Sequence, residues 1–310
     1  MQERGNIHRT VMTTDAEAIL QSWSAPLGLD LTLCLTVLIY TRGWFRVRAA
    51  FPNLIPVWRL AAFIAGVASI WIAIGSPLGA FDEASLSVHM VQHLLLMAIA
   101  PALILLGAPA LPLLHGLPQT IARDVVGPVL RWSVAKSLGR LITNPAICWL
   151  AAAIALISWH VPAVFESALR HDWLHELEHA TFFSAGLLFW WPVVQPWPSI
   201  ARWPRWSIPM YLFCATLPCD LLSAFLAFCD RVVYRSYISA PRLFNLSPLQ
   251  DQECAAALMW VSITLIYLVP VVIVTMQLLS PRSALSPEKT WGAFQTLATQ
   301  PLEGSKPELS

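Results

Sequence analysis

The sequence predicts an all-α, polytopic membrane protein built as a bundle of seven transmembrane helices. Three observations predict it. Charged residues make up only 12% of the 310 positions and apolar residues 57%, whereas a soluble domain carries about 25% charged residues. The apolar residues also fall in discrete runs, each near the ~20 residues a helix needs to cross the hydrocarbon layer. Finally, Trp23, Trp44, Trp58, Trp71, Trp149, Trp159, Trp173 and Trp206 lie near the ends of those runs, as interfacial aromatics do.

The runs are read at 24–41, 57–76, 86–106, 144–164, 173–194, 206–229 and 254–279. The first is the weakest, being short and carrying Asp30. Pro101, Pro162, Pro192, Pro218 and Pro270 fall inside or near the ends of the later runs. Membrane helices tolerate such prolines when neighbours satisfy the freed carbonyls. Three regions follow: an extracytoplasmic N-terminal segment (1–23), the seven-helix membrane domain (24–280) and a cytoplasmic tail (281–310) rich in Pro, Ser and Thr. Residues 1–22 have no apolar core of the kind a cleavable signal carries, so the first helix is expected to act as its own uncleaved signal.

Lys and Arg set the expected orientation, because cytoplasmic loops are enriched in them. Arg42, Arg46, Arg48, Arg59, Arg123, Arg131, Lys136, Arg140, Arg202, Arg205, Arg282, Lys289 and Lys306 fall on one side, 13 of the 19 basic residues. Arg4, Arg9, Arg170, Arg231, Arg235 and Arg242 fall on the other. The richer side is expected in the cytoplasm, with the N-terminus outside and the C-terminus inside. The basic loop at about 107–143 suits a segment lying against anionic headgroups. A net charge of +1 and the absence of a basic run give nucleic acid no foothold.

This topology sorts the histidines. His8, His89, His93, His160, His171, His175 and His179 fall outside or at outer helix ends, and His115 alone falls inside. His89 and His93 form H-x-x-x-H at the start of the third run. His175 and His179 form another at the start of the fifth, and His160 ends the run between them. Four residues make about one helical turn, so each pair projects from one face. Imidazole suits copper, zinc, iron and nickel, and ionisable groups in membrane helices are functional candidates because they are costly. Met97 extends the first pair to a His89, His93, Met97 stripe that suits copper(I), which accepts soft sulfur. Met97 as ordinary packing, and the pairs as interhelical hydrogen bonds, are the plain alternatives.

The fifth run also matches H-E-x-x-H in His175, Glu176 and His179, the pattern of a zinc protease with Glu176 as base. That short match leaves the pair on the third run unexplained. Glu176 and Glu178 are otherwise expected to hold imidazole N–H groups. The six cysteines form no C-x-x-C, which removes c-type haem attachment. Cys34, Cys148, Cys214 and Cys219 read as small apolar fillers, while Cys229 and Cys254 flank the last outer loop, where they could pair or offer thiolate. Asp251 and Glu253 open the seventh run on the same outer side, and Asp30 and Asp220 lack an assignable partner.

Three stretches together resemble a known family. The first is His89-Met-Val-Gln92-His93-Leu-Leu-Leu with Pro101 and Gly107-Ala-Pro109. The second is Trp159-His160 and Pro162, then His175, Glu178 and His179, then Gly186-Leu-Leu-Phe-Trp190-Trp191-Pro192. The third is Asp251-Gln252 with Met259-Trp260. They are similar to the CtaG-like assembly factors of caa-type cytochrome c oxidase, over roughly residues 25–280. One departure is that Ala255, Ala256 and Ala257 follow Asp251-Gln252 where the family tends to place glycine. The resemblance implies a seven-helix protein of the bacterial plasma membrane that helps the oxidase acquire copper. It implies metal handling by His89, His93, His160, His175, His179 and Asp251.

The expectation is therefore a copper-binding assembly factor, not an enzyme. It would take up copper, as Cu(I), at an extracytoplasmic-facing site. It would pass the ion to cytochrome c oxidase subunits or to a soluble copper carrier. The rivals are a membrane b-type haem protein or haem-handling enzyme, with His93 and His179 as axial ligands, and a copper permease, for which Asp220 is the only deep polar candidate.

Overall fold

The computed structural model describes residues 27–50, 55–132, 139, 144–195, 203–243 and 245–280. The N-terminal segment 1–23 with His8 and Trp23, the tail 281–310, and Lys136 and Arg140 of the basic loop lie outside them. Within the described residues every regular element is helical. The long elements are α1 (Leu27–Ala50), α2 (Val57–Gly75) and, after the short α3 (Pro77–Phe81), α4 (Leu86–Leu106). A short α5 (Ala110–Gly116) and a helical stretch over 119–131 are followed by α6 (Pro145–Trp159), α7 (Pro162–Ala168), α8 (Asp172–Val194), α9 (Ser207–Phe228) and α10 (Pro248–Leu279).

Four helical stretches are long and apolar enough to cross a membrane: Val57–Phe81, Leu86–Leu106, Ser207–Phe228 and Pro248–Leu279. The bent pair α6–α7 makes a fifth if it counts as one span. Among the described residues, four or five of the expected seven spans thus meet the length and composition for crossing a membrane. The helices α1 and α8 fall outside that set. Asp30, Arg42, Arg46 and Arg48 interrupt the first, and Asp172, Glu176 and Glu178 open the second. Outward-facing Leu31, Leu35, Phe213, Leu221, Phe225, Val261 and Leu268 are exposed. That is the pattern of a bundle whose outer surface meets lipid.

Local chemistry sets the boundaries. Asn144 caps α6 through Ala146 N–H (3.0 Å) ahead of Pro145. Ser247 and Gln250 form a reciprocal capping box (3.3 and 2.9 Å) with Pro248 at the first helical position. The capping box starts α10 at residue 248, six residues before the expected 254, and brings Asp251 and Gln252 into its first turn. The expected span 144–164 is broken at His160–Val161, where the chain turns by 78°. Pro162 has no N–H to continue the helix and forces its predecessor out of the helical region; Val161 is extended there.

The bundle has two ends. At one, α1 packs on α5 and Tyr40 Oη donates to Gly107 O (2.7 Å). His115 lies there, exposed, its ring bonded to Leu111 O (3.0 Å). At the other end the starts of α4, α8 and α10 and the end of α6 converge. Gly186 lets α8 cross α4: a Cβ there would lie 2.4 Å from Met97 O. Met97 O is the carbonyl that Pro101 cannot bond, and the turn before it, Leu95–Ile99, widens to a π-helix. Such bulges recur beside functional sites.

Candidate metal centre

The histidine end is held by a frame of buried hydrogen bonds. Asp251 accepts from Ser85 Oγ (2.9 Å), Leu86 N (2.7 Å), Ser87 N (3.2 Å) and Ser87 Oγ (2.6 Å). One carboxylate thus ties α10 to the first turn of α4, where exposed helix N–H groups favour an anion. Gln252 spans the next layer, donating to Leu226 O (3.0 Å) and Arg231 O (3.2 Å) and accepting from Val233 N (2.7 Å). Gln92, between the paired histidines, donates to Ala73 O (2.9 Å) and fixes α4 against α2. The turn Arg235–Ile238 closes the end: Tyr234 Oη donates to His160 O (3.1 Å), Tyr237 Oη to Asp82 O (2.9 Å), and Ser236 N to Glu166 (3.0 Å).

Inside this frame sits a cluster that is not satisfied. His89 and His93 face each other with ring centroids 4.2 Å apart, and His175 and His179 with centroids 4.3 Å apart. His89 stacks on His175 (5.5 Å), while His93 meets His179 (6.1 Å) and His160 (6.2 Å) edge to face. Glu178 is fully buried, with one oxygen 3.4 Å from His93 Nε2 and 3.9 Å from His89 Nε2. Asp82 lies 3.5 Å from His175 Nε2. Both ring nitrogens of His89 and His93, Nε2 of His160, His175 and His179, and both oxygens of Glu178 are buried without a hydrogen-bond partner. Two overlapping ligand sets have donor atoms within 4.8 Å of one another: Asp82, His175 and His179, and His89, His175 and Glu178.

Buried polar groups are almost always paired, because an unpaired one costs about 1–3 kcal/mol. A single proton relieves at most one such contact; a cation in the middle relieves several together. One tautomer is already fixed. His160 Nδ1 lies 2.7 Å from Leu156 O, an acceptor only, so Nδ1 carries the proton and the Nε2 lone pair points inward. That arrangement is the usual one for a ligating histidine. Burial lifts the Asp82 carboxyl from 3.8 to about 7, and a nearby cation would favour its ionised form.

The structure brings together five of the six residues expected from sequence: His89, His93, His160, His175 and His179. It does not bring in Asp251, whose two oxygens are both used at the start of α4. His171 is exposed and bonded to Ser167 O (2.9 Å), outside the cluster. Glu176, the base of the H-E-x-x-H pattern, is exposed, while Glu178 is the carboxylate that points in. Asp82 escaped the sequence reading. Its signal was a carboxylate seven residues before His89, in the connection on the histidine side. Asp30 accepts from Trp71 Nε1 (2.9 Å), and Cys229 and Cys254 are unpaired. Asp220 has one buried oxygen without a hydrogen-bond partner.

The fold and site define an all-helical protein of the membrane class, with a buried histidine–carboxylate cluster at one end. The chain belongs to the cytochrome c oxidase caa3 assembly factor family (Caa3_CtaG), whose model matches residues 38–280. It is 26% identical over 251 residues to an uncharacterized protein of Mycobacterium leprae, covering 78% of this chain and 36% of that one. It is 30% identical over 168 residues to uncharacterized proteins of Mycobacterium bovis and Mycobacterium tuberculosis, covering 53% of this chain and 25% of each. The chain thus spans about a quarter to a third of the length of these relatives. No solved structure matches it.

Proposed function

We propose that this protein binds copper at the histidine–carboxylate cluster and delivers it during cytochrome c oxidase assembly, acting as a carrier of metal and not as an enzyme. The observation that carries this reading is Glu178: a fully buried carboxylate with both oxygens unpaired, ringed by imidazoles whose nitrogens are also unpaired. Neutral imidazole and carboxylate donors fit a first-row divalent ion or copper. Membership of an oxidase assembly family supports the reading of copper as the cargo. We further infer seven spans, with α1 and α8 completing the set, an N-terminus outside and the cluster facing the extracytoplasmic side of a bacterial plasma membrane. The Lys/Arg asymmetry supports that orientation, and oxidase subunits or a soluble copper carrier would then take the ion.

A zinc protease is disfavoured because Glu176, its required base, is exposed. A b-type haem is disfavoured because His89 and His175 stand 4.2 and 4.3 Å from the two supposed axial ligands, filling the plane a macrocycle needs.

The test begins with the purified full-length protein. It should be colourless and gain copper on loading, and His93→Ala should lose that copper while remaining folded. A strain lacking the protein should have low cytochrome c oxidase activity, rescued by His115→Ala and not by His93→Ala. A Soret band in the purified protein, or full oxidase activity in the deletion strain under copper limitation, would reject the proposal.

A further inference from the structure

Directly beneath the cluster lies a cavity of about 50 Å³ whose lining includes Met90, Met97, Met259, Cys219, His93 and His160. Three helices supply the sulfur atoms: α4 gives Met90 and Met97, α9 gives Cys219, and α10 gives Met259. Met210 and Met276 are strongly exposed on the outer faces instead. The remaining lining is mostly aliphatic and aromatic, including Ala152, Phe182 and Tyr267.

We propose that this cavity is a second metal site, selective for a soft monovalent ion such as Cu(I). It rests on the reading of copper as cargo and adds where the ion goes inside the protein. Size decides between an ion and an organic ligand. Pockets for small molecules run to about 300–1,000 Å³, several times this volume, whereas a bare ion and its donors fit. Donor type decides which ion. Thioether and thiol sulfur favour Cu(I), while carboxylate and imidazole also serve harder divalent ions. The carboxylates lie in the upper cluster and the sulfurs in the lower cavity, so the two levels differ in the ions they prefer.

His93 and His160 join the levels. Both line the cavity, and both belong to the cluster above. Each also has buried ring nitrogen without a partner. An ion held by these imidazoles exchanges its remaining ligands, carboxylate above for sulfur below, with no change of oxidation state and without leaving the protein. Phe182 borders the same step, its ring 4.4 Å from that of His93 and 6.3 Å from that of His160, and shields it from competing water.

The experiment uses the full-length protein in detergent under anaerobic conditions, loaded with Cu(I) or with Zn(II). X-ray absorption of the Cu(I) form should show copper–sulfur scattering, and the Zn(II) form should show only nitrogen and oxygen. Replacing Met90, Met97 and Met259 together by Leu keeps the volume nearly constant. That variant should bind Cu(I) at least tenfold more weakly in chelator competition, with Zn(II) affinity unchanged within twofold. Nitrogen and oxygen scattering alone in Cu(I)-loaded wild-type protein would overturn the proposal, whatever the variant does, and would leave the upper site intact. Parallel loss of Zn(II) and Cu(I) in a folded triple variant would overturn it too, since the methionines would then act by packing. Failure of wild-type protein to bind either ion would reject the copper reading as a whole.

Discussion

Two carboxylates at the histidine end, Asp251 and Glu178, both lie buried among polar groups, and their surroundings are opposite. The oxygens of Asp251 accept four hydrogen bonds from the first turn of α4. The oxygens of Glu178 accept none and face imidazole nitrogens that are equally unpaired. The first arrangement is complete without any further partner and spends its charge on joining α10 to α4. The second is incomplete, and its donors fall in two overlapping sets that share His175. Polar satisfaction separates a structural carboxylate from one held ready for a ligand, although both are buried acidic residues at the same end of the bundle.

The largest effect that would sharpen this contrast is on stability at Asp251. Asp251→Ala leaves buried donors at Ser85, Leu86 and Ser87 unpaired, at about 1–3 kcal/mol each. The thermal midpoint of the detergent-solubilised protein should drop by an amount matching at least ~3 kcal/mol, while the copper bound per folded molecule stays the same. A stable, copper-free Asp251→Ala protein would make Asp251 a ligand and break the comparison.

Glu178→Gln should behave in the reverse way. It keeps the shape and replaces a buried acid without a hydrogen-bond partner by a neutral amide, so the metal-free protein should melt at the same or a higher temperature. Copper affinity should fall tenfold to a hundredfold, roughly 1.4–2.8 kcal/mol, read by competition with a chelator. A lower thermal midpoint with unaltered affinity would place Glu178 with Asp251 as structural.

The smallest effect is a pH dependence. Ligands must shed protons to bind metal. Asp82, its carboxyl lifted to about 7 by burial, is protonated increasingly as pH falls below that value. Copper affinity should therefore be greatest above pH 7 and fall at least tenfold by about pH 5.5. Asp82→Asn should weaken binding at pH 8 and flatten the decline just below pH 7. An affinity independent of pH across this range would exclude Asp82 from the ligand set.

The sequence by itself determined the solvent and the helical class. Low charge and apolar runs of membrane length leave few other folds. It also determined which histidines pair, because four-residue spacing puts His89 with His93, and His175 with His179, on common helix faces. Span number was less legible. The polar residues of α8 that build the site also lower its apolarity, so function and membrane signal compete for the same positions. Only the tertiary structure decided how each carboxylate is used. Asp82, Glu176, Glu178 and Asp251 all lie at the same end of the bundle, and nothing in their spacing tells them apart. The 78° break before Pro162, the early start of α10 and the close crossing at Gly186 set which side chains meet. The result puts Glu178 and Asp82 among the imidazoles and Asp251 on the backbone of α4, because contact across helices depends on packing geometry that no single helix encodes.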